Sequence, residues 1–244
     1  MRIYGINPVL EALRARRVTS LRVSPRADER LTTLVRLAEE QDVPVRRVTA
    51  DELDRLAGGA GHRHQGVLAE VEEAERFSVE DLVAAAKGPA LIVVLDGIED
   101  PHNVGAILRT ADAAGASGVV RQSRHAARLD GAAAKASAGA LSHVRIAEVV
   151  NVARAIEELK ELGVWSVGLA GEAHQSYDQV DLTGPTALVM GAEGQGLRRL
   201  VRETCDFLVS IPMRGHVSSL NVSVAAGVAL FEAVRQRRAK PPGV

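Results

Sequence analysis

The chain has 244 residues, 46% hydrophobic and 25% charged, with a formal net charge of −1, a composition that suits a globular protein of one large domain or two modest ones. One cysteine, Cys205, excludes an intrachain disulfide and a cysteine-rich zinc site. No apolar run approaches the roughly 20 residues of a membrane span, and the start carries no signal-peptide pattern, so a cytosolic protein is expected. Aromatics are only 2%, which argues against recognition by a platform of stacked bases.

Asn7-Pro8 reads as a helix start, an Asn cap followed by proline at the first helical position, with Val9, Leu10 and Leu13 as the apolar face. Strands are expected at Leu21–Ser24, Val45–Val48 and Val67–Val71. Between them fall an amphipathic helix through Leu31, Leu34, Val35 and Ala38, and a helix over Ala50–Ala57 with a Thr49/Glu52 capping box. Residues 1–71 thus form a small α/β module. Residues 1–50 hold ten Arg against six acids, whereas 51–100 hold four bases against twelve acids. The basic residues of the module, Arg14, Arg16, Arg17, Arg46 and Arg47 among them, suit phosphate contacts or a merely solvated face. His62 and His64 fit an RNA-facing loop better than a metal site.

The acidic stretch Glu70–Ser78 reads as a linker and Val79–Ala86 as a helix, so that 72–87 joins the module to a second domain over 88–244. There strands are expected at Leu91–Leu95, Gly118–Arg121, Val144–Ile146, Val164–Leu169, Ala187–Met190 and Phe207–Ile211. Helices fall between them, including Asn103–Ala114 and Asn151–Leu162, and a long one from Ser219 onward. Continuous apolar strands alternating with helices imply a mainly parallel sheet covered on both faces. Ligands of such sheets sit at the carboxyl ends of the strands. Neither a G-x-G-x-x-G after the first of these strands nor a Walker A sequence is present.

Three stretches stand out at those ends: Asp100–Gly115 (DPHNVGAILRTADAAG), Gly191–Gly196 (GAEGQG), and Ile211-Pro212-Met213 with Ser219-Leu220-Asn221. Each has a plain structural reading. GAEGQG suits a tight turn. Asp100 or Asn103 would cap a helix, and Ser218 or Ser219 the last one. Arg109, six residues after Asn103, is expected to project from roughly the same side of its helix. Glu193 suits a turn carboxylate paired with Arg198 or Arg199.

Taken in order and spacing, the three stretches closely resemble the motifs of the SpoU (TrmH-type) RNA ribose 2′-O-methyltransferases of the SPOUT class. Tyr4–Leu13 and Gln65–Val67 resemble the N-terminal RNA-binding module of their ribosomal-RNA branch. The resemblance implies a C-terminal SPOUT domain whose end is threaded as a trefoil knot, an L30e-like N-terminal domain, and a homodimer packed partly through the last helix. It implies S-adenosylmethionine as cofactor, bound by Gly191, Ile211 and Leu220 with Met213 and Ala170 lining the pocket, and no metal. Asn103, Arg109, Glu193, Ser219 and Asn221 are the active-site residues that it implies.

The family proposal makes Arg109 the base. A guanidinium is normally always protonated, so the reading preferred here gives it the substrate phosphate and the developing alkoxide, with His102 and His216 as further candidates for the proton. The implied reaction is methylation of a ribose 2′-hydroxyl in ribosomal RNA, in the branch acting on a guanosine of 23S RNA. The alternatives are transfer RNA, another ribosomal position including antibiotic-resistance sites, and a non-catalytic RNA-binding assembly factor.

Overall fold

Short strands and helices alternate from the N-terminus onward. The computed structural model describes residues 2–14, 16–25, 29–57, 64–71, 77–124, 129 and 131–239. The chain divides into two units, Met1–Glu75 and Arg76–Val244. His62, the Gly58–Gly61 loop and linker residues 72–76 lie outside the described residues.

The first unit comprises β1 (Arg2–Tyr4), α1 (Ile6–Arg14), β2 (Val18–Val23), α2 (Glu29–Glu39), β3 (Val45–Arg47), α3 (Ala50–Ala57) and β4 (Val67–Val71). Its sheet runs β1-β4-β2-β3, antiparallel except for β2 with β3. Val9 and Leu13 of α1 and Leu31 and Leu34 of α2 bury one face against Leu21, Val67 and Ala69. Leu68 alternates to the opposite face, where α3 packs with Leu53, and both leucines are fully buried. Helix α1 begins before Asn7: Gln65 Oε1 accepts from Ile6 N at 2.9 Å, so a distant side chain supplies the cap and Pro8 falls in the first turn, where its missing N–H costs little. Thr49 does cap α3, accepting from Glu52 N. His64 does not face outward for RNA. Its Nδ1 accepts from Gly66 N at 3.0 Å and its Nε2 lies 3.2 Å from Asp54 Oδ1.

The second unit contains α4 (Val79–Ala84), β5 (Leu91–Asp96), α5 (Pro101–Ala113), β6 (Gly118–Gln122), α6 (Gly131–Ala136), a 3₁₀ turn (Ala140–Ser142), β7 (Ile146–Val149), α7 (Val152–Glu161), β8 (Trp165–Leu169) and β9 (Gln175–Ser176). It continues with β10 (Thr186–Gly191), α8 (Arg199–Thr204), β11 (Phe207–Ser210) and α9 (Val222–Ala239). All seven strands are parallel in the order β7-β6-β5-β10-β8-β11-β9. Strand β5 is apolar up to its last residue because both faces are covered. Leu91, Val93 and Leu95 meet α5 and α9 through Ile107, Leu108 and Leu230, while Ile92 and Val94 meet α7 through Ile156 and Leu159. Helix α4 joins the second core, with Val79 and Leu82 buried beside Val120 and Ala147; by packing it belongs to this unit rather than to a linker. No described helix is long and apolar enough to cross a membrane.

Candidate active site

Three loops at the carboxyl ends of the strands build the site. After β5, Asp100 accepts from His102 N at 2.9 Å and caps α5, with Pro101 in the first turn. Asn103 is thereby released from capping and sits buried in the first turn, 7% exposed. After β10, the backbones of Ala192 and Gly196 exchange two hydrogen bonds, 3.1 and 2.8 Å, closing a short loop with Glu193 exposed on it. Gly194 and Gly196 hold φ of +74° and +67°, a region that glycine enters without strain. Gly191 is required by the chain itself, since a Cβ there would collide with the backbone of Gly196 and Leu197. After β11 the chain passes Ile211, Pro212 and Met213 and reaches α9.

Asn221, and neither Ser218 nor Ser219, caps α9. Its Oδ1 accepts from Ser223 N at 2.9 Å and from Ser223 Oγ at 2.6 Å, and its carbonyl accepts from Ala225 N. A cap side chain must stand immediately before the helix to reach the second or third amide, and α9 starts at Val222 rather than Ser219. The other end of the Asn221 amide ties the three loops together. Its Nδ2 donates to Asn103 Oδ1 at 2.9 Å and to Glu193 Oε1 at 2.7 Å. Among the described residues, the Asn103 amide nitrogen and the second Glu193 oxygen have no hydrogen-bond partner and stay available to a substrate.

Glu193 therefore does not pair with Arg198 or Arg199, whose partners are Asp96 and Glu203. Arg109 is exposed and bonds to none of the described residues. It does not share a side with Asn103: six residues at 3.6 per turn amount to about one and two-thirds turns, which leaves the two side chains well apart around the axis. Ser219 is likewise exposed, two residues ahead of Asn221. The hydrogen-bond network thus unites Asn103, Glu193 and Asn221, while Arg109 and Ser219 remain outside it.

Sequence reasoning missed Asp96, the buried last residue of β5. Its carboxylate accepts from Arg198 N at 2.8 Å and from Arg198 Nε at 2.6 Å, and Nη2 completes the pair. A lone acidic residue ending an apolar strand was the available signal, but its partner lies 102 residues away.

The residues expected to hold a cofactor follow three neighbouring strands. Ala170 comes directly after β8, Gly191 ends β10, and Ile211 comes directly after β11, in the sheet order β10-β8-β11. Ala170 is buried, Ile211 and Met213 are half-buried, and Leu220 is exposed beside the still more exposed Val217. Among the described residues the backbone amides of Ile211, Met213 and Leu220 have no acceptor. Apolar side chains with open main-chain donors suit a purine ring read along its polar edge.

The sequence matches the SpoU rRNA Methylase family over residues 90–231, and residues 2–77 match the family described as RNA 2′-O ribose methyltransferase substrate binding. The chain belongs to the SpoU rRNA methylase family. It is 49% identical over 245 residues to the 23S rRNA (guanosine-2′-O-)-methyltransferase RlmB of Pseudomonas putida, covering 98% of each chain. Among solved structures, the SpoU methyltransferase AviRb of Streptomyces viridochromogenes in complex with AdoMet is similar with a TM-score of 0.68 and 28% identity, covering 98% of this chain and 91% of that one. The A. aeolicus TrmH/SpoU tRNA modifying enzyme aligns with a TM-score of 0.57 and 33% identity, over 66% of this chain and 83% of its own. As an SpoU methylase this protein is an RNA methyltransferase, and S-adenosylmethionine is its methyl donor.

Proposed function

We propose that this protein methylates the ribose 2′-hydroxyl of a guanosine in 23S ribosomal RNA. The observation that carries the reading is the meeting of Asn103, Glu193 and Asn221, from three separate loops, beside the strand ends that suit the cofactor. The relative from Pseudomonas putida, alike over its whole length, supports the choice of substrate.

When bound, S-adenosylmethionine supplies a methyl group already activated on a sulfonium. The protein's own part is to place and polarise the attacking oxygen. The open amide nitrogen of Asn103 and the second oxygen of Glu193 hold the ribose at fixed positions, since Asn221 locks both side chains. Arg109, exposed, free of described partners and turned away from Asn103 around α5, serves the site of a second copy across the dimer, where it takes the neighbouring phosphate and stabilises the negative charge that grows on the 2′-oxygen. Ser219, exposed on the approach to α9, adds a hydroxyl at the same entrance. Ile211, Met213 and Leu220 offer main-chain donors, and Ala170 and Gly191 backbone contact, to the cofactor.

The same reading includes a homodimer, a trefoil-knotted C-terminal segment and a cytosolic location. Val224 and Phe231 on α9, about half exposed at 51% and 50%, support a partner on that helix, and the insertion of β10 between β5 and β8 suits a threaded end. Mapping of 2′-O-methyl groups on 23S RNA from cells with and without the gene tests the substrate. One guanosine should lose its methyl group in the deleted strain; an unchanged 23S map would refute the choice of RNA.

A further inference from the structure

Asp96 sits at the end of β5, an inner strand of the sheet, 0% exposed. A carboxylate withdrawn from water persists only where donors replace the water. Among the described residues Arg198 alone supplies them, through its backbone N–H and two guanidinium nitrogens. Arg198 terminates the loop that carries Glu193. Within that loop Ala192 and Gly196 are bonded to each other, Gly191 abuts the backbone of Gly196 and Leu197, and Leu197 is buried in the core. The loop is therefore a stiff body, joined to the sheet at Gly191 and pinned at Arg198. From Glu193 the connections continue through Asn221 to Asn103 on α5, and α5 is capped by Asp100, four residues after Asp96. The chain of contacts closes on itself, with Asp96 at the point where both loops leave the sheet.

We infer that Asp96 is a positioning residue for methyl transfer, setting through Arg198 where the Glu193 loop stands against Asn103. This rests on the placement of Glu193 and Asn103 in the reacting site. Asp96→Asn preserves volume and an acceptor for the Arg198 amide but turns an NH₂ group towards the guanidinium. With full-length protein in excess over a 23S fragment, saturating S-adenosylmethionine and a temperature well below melting, the single-turnover rate should fall about tenfold or more. RNA affinity should stay within about twofold. In a Glu193→Gln background, adding Asp96→Asn should alter the rate by less than about twofold, because the affected side chain is already changed. A rate unaffected by Asp96→Asn alone, or losses that multiply in the double variant, overturn the inference and indicate a purely structural ion pair. Should Asp96→Asn fail to fold, Arg198→Lys carries the same test, keeping the backbone bond and the charge while losing the paired guanidinium. Wild-type protein that leaves the fragment unmethylated overturns the functional reading itself, and this one with it.

Discussion

Asn221 has each end of its amide committed, the oxygen to the first turn of α9 and the nitrogen to Asn103 and Glu193. The two duties separate by substitution. Asp caps a helix as well as Asn does but cannot donate, and it would set a carboxylate against Glu193. Asn221→Asp is expected to leave Tm within about 3 °C yet lower the methylation rate about a hundredfold, read by thermal melts and single turnovers of the same preparation. Asp206 supports a different outcome. Burial works to raise its carboxyl, but the Ser166 amide and hydroxyl at 2.9 and 2.6 Å and the Lys160 ammonium at 2.9 Å outweigh it and hold the group below the usual aspartate range. The unfolded carboxyl titrates near pH 3.9, so its stabilisation is complete above that value and is lost as pH falls through the lower folded one. Asp206→Asn should therefore melt about 4 °C below wild type at pH 7, with the gap closing below about pH 4. At this scale family likeness named Asn103, Arg109, Glu193, Ser219 and Asn221 together, and the hydrogen bonds join Asn103, Glu193 and Asn221 among them. The sequence could not show their bonds, nor Asp96, because the partners stand on separate loops 28 to 118 residues apart.

Among the elements, α9 is held at both ends. Near its C-terminus the Arg237 guanidinium donates to the carbonyls of Leu182, Pro89, Ala90 and Gly184, at 3.0, 2.8, 3.0 and 2.8 Å. It thereby joins the helix to the start of β5 and to the loop before β10. Arg237→Met would take the donor from the Leu182 and Pro89 oxygens, while Ala90 and Gly184 keep Thr186 as theirs, and is expected to cost about 2–3 kcal/mol, measured by urea unfolding. Lysine, with one nitrogen to offer, should recover only part of the loss. Strands β5, β6 and β10 lay close to their expected bounds, because a run buried on both faces is apolar throughout and ends at polar or glycine residues. Strand β7 began at Ile146 rather than Val144, and β1 and β9 were not foreseen. Strands of three and two residues are too short to show a period, and only their neighbours make them strands. Helix α6 escaped for another reason. Its GAAAKA stretch has no polar face, and it is fixed by Gly105 of α5, where a Cβ would strike Ala136 and the Ala133 carbonyl.

On the scale of the whole molecule, the expected beginning of the second domain at Gly88 omits α4. Leu82 is fully buried, and a Cβ on Gly118 would meet its side chain, so removing α4 opens a cavity against β6. A fragment starting at Arg76 should bind S-adenosylmethionine by calorimetry and melt about 5–10 °C above one starting at Gly88, as loss of one buried leucine suggests. Equal melting temperatures would mean that α4 adds nothing to the core. The division into a basic N-terminal module and a parallel-sheet domain was readable from charge and alternation. The strand order was not, since a linear pattern does not say that β10 enters between β5 and β8.

That insertion also has a consequence in time. The first motif is made early in synthesis, but its partners arrive with residues 193 and 221, and β10 cannot take its place until more than half of the second unit has emerged. A growing chain therefore carries Asn103 and Arg109 without a site to use them. A nascent chain thus cannot methylate the RNA of the ribosome that is making it, and its activity begins only once the last helix has been translated.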